Sequence, residues 1–346
     1  MKKTFYTRII LSYIFCITWY GCKTTHTSSA AAQEKSLNLI LAVSPIKLSN
    51  SGYKFYKDIP YGEFKENVFD IFLPASKQPA SLVINIHGGG FINGDKAQGN
   101  QNSALINSLL SNNIAFASIN YRFLTAEDGE GVLKCLNDSK RALQFIRYYS
   151  KSLNIDKNNV ILTGGSAGAG TSLWIGFNDD MADKKNADPV LRESTRVKAV
   201  VALNTQADYD VLEWHNNVFK EYQSQGLDQK YLMRLGTQKR VLAFYGFKNP
   251  DEINSTVSKA YRNKVSMLKL MSNDDPEIYV ENVNIPYKMP ATLGELEHHP
   301  LHAKALMDKA VETHIKGTFY IPKMNIDTRK GEDKEDFIVR VLGKGR

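Results

Sequence analysis

The chain of 346 residues is 42% hydrophobic and 23% charged, an ordinary globular composition long enough for one large α/β core with an inserted region. Nothing repeats at a fixed period, and no internal apolar stretch reaches the roughly eighteen residues of a spanning helix. The formal net charge is +8, but Lys2, Lys3 and Arg8 belong to a leader whose removal leaves +5, and no basic block interleaved with aromatics supports nucleic-acid binding.

Those three basic residues precede an apolar run over 9–20 that ends in Gly21-Cys22, an export signal. A Cys after a small residue at the end of such a run resembles a bacterial lipobox. This predicts acylation of Cys22, its exposure as the mature N-terminus, and attachment to a membrane of the bacterial cell envelope through the lipid. Cleavage after Ala32 is the alternative, giving a free secreted protein. Cys16 leaves with the leader and Cys22 carries lipid, so Cys135 remains alone and a lipidated chain has no internal disulfide. The organisation expected is a signal over 1–21, a tether over 22–50, an α/β domain over 51–325 with a cap over about 208–273, and a charged C-terminal tail over 326–346.

From residue 53 strand-like and helix-like segments alternate, which predicts a mostly parallel, eight-stranded sheet flanked by helices. Segments 53–61 and 68–73 read as antiparallel leading strands. Segment 82–86 is a short apolar run, a buried strand entering His87-Gly88-Gly89-Gly90. A helix over 104–110, a strand over 114–120 and an amphipathic helix over 137–149 follow. A central strand over 160–162 stops at Gly164-Gly165-Ser166-Ala167-Gly168 and continues as a helix over 171–177, and 197–203 is the sixth strand. The alternation then breaks for the polar, aromatic-rich cap. It resumes with a strand over 276–280, a helix over 300–314 and a last strand over 317–321; the charged run 330–336 reads as solvated surface.

Gly-x-Ser-x-Gly between a strand and a helix makes a turn so tight that its neighbours must be small, and it thrusts the serine hydroxyl outward. Gly164, Ala167 and Gly168 meet that demand, so Ser166 is the candidate nucleophile. The N-terminus of the next helix favours negative charge at the same spot, which makes the Ala167 N–H one candidate oxyanion donor. The glycine loop about eighty residues upstream offers Gly88 and Gly89 as the others, each such donor being worth about 2.7 to 4 kcal/mol of barrier. No Gly-Lys-Ser/Thr follows either glycine cluster, which removes a phosphate-loop reading.

Residues 87–91, Asn120-Tyr121-Arg122 and 164–168 together resemble the hormone-sensitive-lipase-like and BD-FAE-type (feruloyl and acetylxylan esterase) α/β-hydrolases over about 53–320. Segments 163–168, 172–174, 178–183, 192–196 and 274–276 are similar to a bacterial subgroup of these proteins. The resemblance implies hydrolysis of carboxylic esters through an acyl-enzyme, on a small-molecule or polysaccharide ester, without a cofactor.

In such folds the triad runs Ser, then Asp or Glu, then His, with the His on the loop after the last strand. Here no His follows His314, so the base must come from elsewhere or the protein is inactive. His298, His299 and His302 lie between the seventh strand and the next helix, at the edge where strand C-termini gather. The subgroup resemblance implies His298 as base, with His299 as the alternative; capping of the helix from Pro300 and a histidine metal cluster remain open. No His-Glu-x-x-His helix accompanies them, so no metal is expected. For the orienting carboxylate, Asp274 and Asp275 precede the seventh strand and belong at the wrong edge. Asp208, Asp210, Glu281, Glu295 and Glu297 belong at the right one, and the resemblance of 206–210 to the subgroup favours Asp210. Two other readings stand beside the esterase: a surface-anchored glycan- or ligand-binding protein on an inactive hydrolase scaffold, and a serine peptidase.

Overall fold

The computed structural model describes residues 36–125 and 129–343; the leader, Cys22 and residues 23–35 lie outside them. Nine strands form one sheet: β1 (Lys54–Pro60), β2 (Val68–Leu73), β3 (Ala80–Ile86), β4 (Ile114–Ile119), β5 (Ile155–Gly165), β6 (Ala199–Leu203), β7 (Glu277–Glu281), β8 (Gly317–Ile321) and β9 (Ile326–Asp327). Their order is β1-β2-β4-β3-β5-β6-β7-β8-β9. The six strands from β4 to β8 are parallel, while β1, β2 and β9 are antiparallel additions at the edges. The ninth strand, beyond the eight expected, is only two residues long, too short to show a period in sequence.

The helices are α1 (Ser103–Ser111), α2 (Val132–Tyr148), α3 (Ala167–Phe177), α4 (Trp214–Asn217), α5 (Gln229–Gly236), α6 (Gln238–Tyr245), α7 (Thr256–Val265), α8 (Met267–Leu270), α9 (Leu293–Glu297), α10 (Pro300–Thr313) and α11 (Lys334–Leu342). Successive residues of a strand face opposite ways, so β3 feeds two cores. Leu82, Ile84 and Ile86 join Leu162, Val200 and Val280 in a core that also takes Leu136, Leu143 and Ile146 of α2. Val83, Phe116, Ile161, Val201 and Tyr279 point the other way, onto Ile106, Leu109 and Leu110 of α1 and Phe337, Ile338 and Leu342 of α11. With both faces covered, β3, β4 and the end of β5 are almost continuously buried, which is why they read as unbroken apolar runs.

Two boundary expectations are corrected by this packing. The C-terminal tail is not solvated throughout: the charged run ends in α11, whose N-cap Asp333 accepts from the Glu335 and Asp336 N–H groups while Phe337 packs on Tyr279. The later part of the tether is also fastened down. Ala42 donates to the Phe55 carbonyl at 2.9 Å, Ser49 N–H donates to Asn107 at 2.8 Å, and Leu37, Leu39, Ile46 and Leu48 pack against the two cores.

The chain leaves β3 toward β4 on one side and returns to β5 on the other, so the strand order reverses between β3 and β5. A crevice opens at such a point beyond the strand C-termini. The loop after Ile86 and the turn after Gly165 both empty into it, because Ile86 and Gly164 are register partners. Helices α4 to α8, joined by 3-10 turns, lie between β6 and β7 and form the cap.

Candidate active site

Ser166 has φ 53° and ψ −122°, a left-handed conformation that L-residues rarely adopt and that only strong surrounding packing maintains. The packing here is a close approach of three backbones. A Cβ on Gly168 would lie 1.9 Å from the Ile86 carbonyl oxygen, and one on Gly164 2.5 Å from the same atom. The turn therefore presses on the end of β3 at positions where only glycine fits. Gly168→Ala is accordingly expected to prevent accumulation of folded protein, read as loss of a cooperative melting transition, since backbone rather than a movable side chain blocks the new methyl.

Gly88 approaches from the other side, where a Cβ would meet the Gly165 carbonyl at 2.7 Å. His87 braces the loop. Its Nδ1–H donates to the Gly88 carbonyl at 2.7 Å, its ring stacks on Tyr121 at 4.3 Å, and the Tyr121 hydroxyl donates to the His87 carbonyl at 2.9 Å. Burial pushes the His87 imidazole below its ordinary range, which keeps it neutral. Arg122, from the same Asn-Tyr-Arg segment, grips Asp138 of α2 through Nε and Nη2 at 2.8 and 2.7 Å. Among the described residues, no backbone carbonyl accepts from the N–H of Gly88, Gly89 or Ala167. Gly88 and Ala167 border the cavities that Ser166 shares, and their N–H groups are free to meet an oxyanion.

His298 caps the C-terminus of α9, and its Nε2 stands 2.8 Å from Ser166 Oγ. Its Nδ1 lies 3.1 Å from the Gly294 carbonyl, which only accepts. Nδ1 therefore carries the proton, and the Nε2 lone pair faces the serine hydroxyl, the arrangement a general base requires. Helix α9 is fixed at its start by a capping box between Thr292 and Glu295.

The neighbouring histidines are engaged elsewhere. His299, the alternative base, is the N-cap of α10: its Nδ1 accepts from the Leu301 N–H, and its Nε2–H donates to the Lys288 carbonyl at 2.8 Å. His302 is fully buried between the Ala207 N–H and the Leu296 carbonyl, and burial pushes its imidazole down to about 3. His299 ties α10 to the loop after β7, and His302 ties α10 to α9 and the segment after β6.

Asp210 does not reach His298. Its carboxylate accepts from Arg262 Nε at 2.6 Å and the Tyr245 hydroxyl at 3.1 Å, and Arg262 continues to Glu213 at 2.7 Å. The edge of the sheet was the right one, but a guanidinium from α7 claims the acid and makes it a cap anchor. Asp208 is another anchor, accepting from Asn217, Ser266 and the Asp210 and Met267 N–H groups; burial pushes its carboxyl up to about 7 against those donors. The ring of His298 is thus oriented by a carbonyl four residues back, which no residue-type signal in the sequence announces. Arg240 was also missed: it reaches from α6 to Glu297 at 2.8 Å and lies against Gly90.

Ser166 stands between two cavities. One, a cavity of about 70 Å³ under the cap, is lined mainly by apolar side chains including Phe91, Tyr209, Leu212, Trp214, Leu232 and Phe244. The other opens to solvent and is bordered by Gly88, Leu203, Asn204, Asn284, Ile285 and His298.

A serine on a strained strand-to-helix turn, an imidazole accepting from it and an opposing glycine loop, all at the switch point of this sheet, define a serine hydrolase of the α/β-hydrolase fold. The BD-FAE family model matches residues 69–277, more than half of the chain, and the protein belongs to that family. Curated proteins yield no match.

Solved structures give the same fold. A truncated form of carbohydrate esterase from gut microbiota has a TM-score of 0.58 at 20% identity, over 84% of this chain and 96% of that one. A bifunctional GH43-CE protein from Bacteroides eggerthii has 0.56 at 20% identity, over 84% of this chain and 38% of that one. An acetyl ester-xyloside bifunctional hydrolase from Caldicellulosiruptor lactoaceticus has 0.51 at 19% identity, over 75% and 83%. At these identities the likeness is one of fold.

Proposed function

We propose that this serine ester hydrolase removes apolar acyl groups from bulky polar alcohols, acylated polysaccharide being the substrate class that fits. The observation that carries the reading is the 2.8 Å contact between Ser166 Oγ and His298 Nε2 beside the unpaired N–H groups of the glycine loop. Ser166 Oγ attacks the ester carbonyl as its proton passes to His298, and the N–H groups of Gly88, Gly89 and Ala167 receive the oxyanion. The tetrahedral species then expels the alcohol, which takes the proton back from His298. Water repeats the sequence on the acyl-enzyme and frees the acid.

This chemistry assigns the two cavities. The group that protonates the leaving oxygen must be beside it, and His298 borders the open cavity, where Asn204 and Asn284 offer polar contacts to a sugar. The acyl group then enters the apolar cavity under the cap. Burying one methylene there stabilises by about 0.8 kcal/mol, so kcat/KM is expected to rise about fourfold per added carbon beyond acetyl until the cavity is filled. A p-nitrophenyl ester series from acetate to decanoate checks this. A maximum at acetate would overturn the acyl assignment, and no turnover across the series would overturn the esterase reading.

Export, and anchoring through a lipid on Cys22, belong to the same proposal. The basic, apolar, Gly-Cys leader supports them, and they would place the enzyme in the bacterial cell envelope, where extracellular polymers are met. Metabolic labelling with an alkyne fatty acid, lost on Cys22→Ala, is the corresponding test.

A further inference from the structure

We propose that Gln206 is the positioning residue for the base: its side-chain amide holds the peptide group that carries His298 and so sets the distance from the imidazole to Ser166. The proposal rests on the reading of Ser166 and His298 given above.

Helix α9 is only five residues long, and the last four carbonyls of any helix lack partners inside it. Those of Leu296 and Glu297 are met from outside. His302 Nε2–H donates to the Leu296 carbonyl at 2.9 Å, and Gln206 Nε2–H donates to the Glu297 carbonyl at 2.8 Å. The second bond bears on the chemistry, because the Glu297 carbonyl and the His298 N–H belong to one planar peptide group. Gln206 grips one end of that plane. At the other end the His298 N–H donates to the Gly294 carbonyl at 3.2 Å, the same oxygen that receives the ring Nδ1–H. With both ends held, the plane is fixed and the ring leaves it in one direction.

Gln206 is itself fastened to the nucleophile. The Leu203 carbonyl, at the end of β6, accepts from the Ser166 N–H at 2.9 Å, and Gln206 stands three residues further along. The residues between them are tied down. Asn204 N–H donates to the Glu281 carbonyl at 2.6 Å, Thr205 N–H donates to Asn282 Oδ1 at 3.0 Å, and Thr205 Oγ1–H donates to the Gln206 carbonyl at 2.9 Å. Thr205 and Gln206 are buried, and a satisfied polar network away from water is stiff. A continuous run of bonds therefore leads from the Ser166 backbone, through the end of β6 and the Gln206 amide, to the peptide of His298. The 2.8 Å contact between Ser166 Oγ and His298 Nε2 closes the ring.

Segment 206–210 thus divides by task. Asp208 and Asp210 anchor the cap, whereas Gln206 reaches α9 and also borders the covered cavity with Ser166.

Gln206→Met keeps the length of the side chain and removes the donor. On p-nitrophenyl acetate, per folded molecule, its expected result is a fall in kcat of about ten- to a hundredfold with KM changed less than about threefold, since a displaced base costs reacting geometry and not binding. Gln206→Glu keeps the shape with an acceptor in place of the donor; it should lower kcat in the same way and supplies the measurement if Gln206→Met does not fold. His302→Ala is the matched control, cutting a tie one peptide earlier. It should lower the melting temperature while kcat of the folded fraction falls less than about threefold. The spacing is read directly in a Ser166→Cys background. A thiol beside an imidazole titrates below its ordinary range, and adding Gln206→Met should make it titrate about one pH unit higher, followed by the pH dependence of iodoacetamide alkylation. A purely structural residue would leave that titration in place. Wild-type kcat in the folded Gln206 variants, or an unmoved thiol titration, overturns the proposal alone; turnover retained in His298→Ala brings down the base reading and this proposal together.

Discussion

Ser166→Ala is expected to lower kcat on p-nitrophenyl esters by on the order of 10⁶-fold and to abolish labelling by a fluorophosphonate probe, and His298→Ala is expected to match it in kcat within about an order of magnitude. The two should fall together because neither group is useful alone. Serine oxygen is a weak nucleophile until an acceptor takes its proton, and the acceptor here stands 2.8 Å away with its lone pair aimed correctly. The residual rate left by either variant measures the glycine loop and the binding cavities. His299→Ala and His302→Ala separate position from chemistry, since each removes an imidazole from the same short segment but cuts ties to backbone groups and packing on aromatic rings rather than a contact with Ser166. Both should lower the melting temperature more than they lower kcat of the folded fraction. Fluorophosphonate labelling that persisted in Ser166→Ala would remove the serine from the mechanism, and wild-type turnover in His298→Ala would remove the base.

The second large effect falls on stability. Asp210→Ala leaves Arg262 without its buried carboxylate but still paired with Glu213 and 13% exposed. The loss should therefore fall at or below the lower end of the about 3 to 5 kcal/mol that breaking a fully buried ion pair from one side costs. The Tyr245 hydroxyl loses its acceptor in the same change. A chemical-denaturation midpoint should drop accordingly, and limited proteolysis should find the cap first, because Asp210, Tyr245 and Arg262 tie its entry, α6 and α7 together. Asp210→Asn keeps an acceptor for Arg262 and should lie between wild type and Asp210→Ala in stability, with the pH profile of the folded enzyme unmoved. A displaced acidic limb in Asp210→Asn would instead return Asp210 to the role of orienting acid, against the geometry.

How far the sequence discloses this molecule varies with the physics of each part. The buried parallel strands announce themselves because both faces are covered, and the serine turn does so because its clashes with Ile86 leave no residue but glycine. The end of the chain is harder to read. Seven residues of the run 330–336 include six charges, which conceals that Phe337, Ile338 and Leu342 sit at helical spacing and close the second core. Asp210 fails for a different reason. Sequence places it at the correct sheet edge, but its partner is a guanidinium 52 residues further on, on a cap helix whose docking no local pattern reports. His298 followed from resemblance; its geometry depends on α9 ending at the right turn, with a backbone carbonyl in place of an acid.

The asymmetry of the two cavities also bears on where along a polymer such an enzyme would work. On the proposed assignment only the acyl branch has to enter the covered side, while the alcohol lies across an uncovered mouth edged by Asn204 and Asn284. A long saccharide backbone can then cross the protein without threading through it or offering a chain end. Deacylation would proceed at interior positions as readily as at termini, and the length of the polymer would place no limit on which branches are removed.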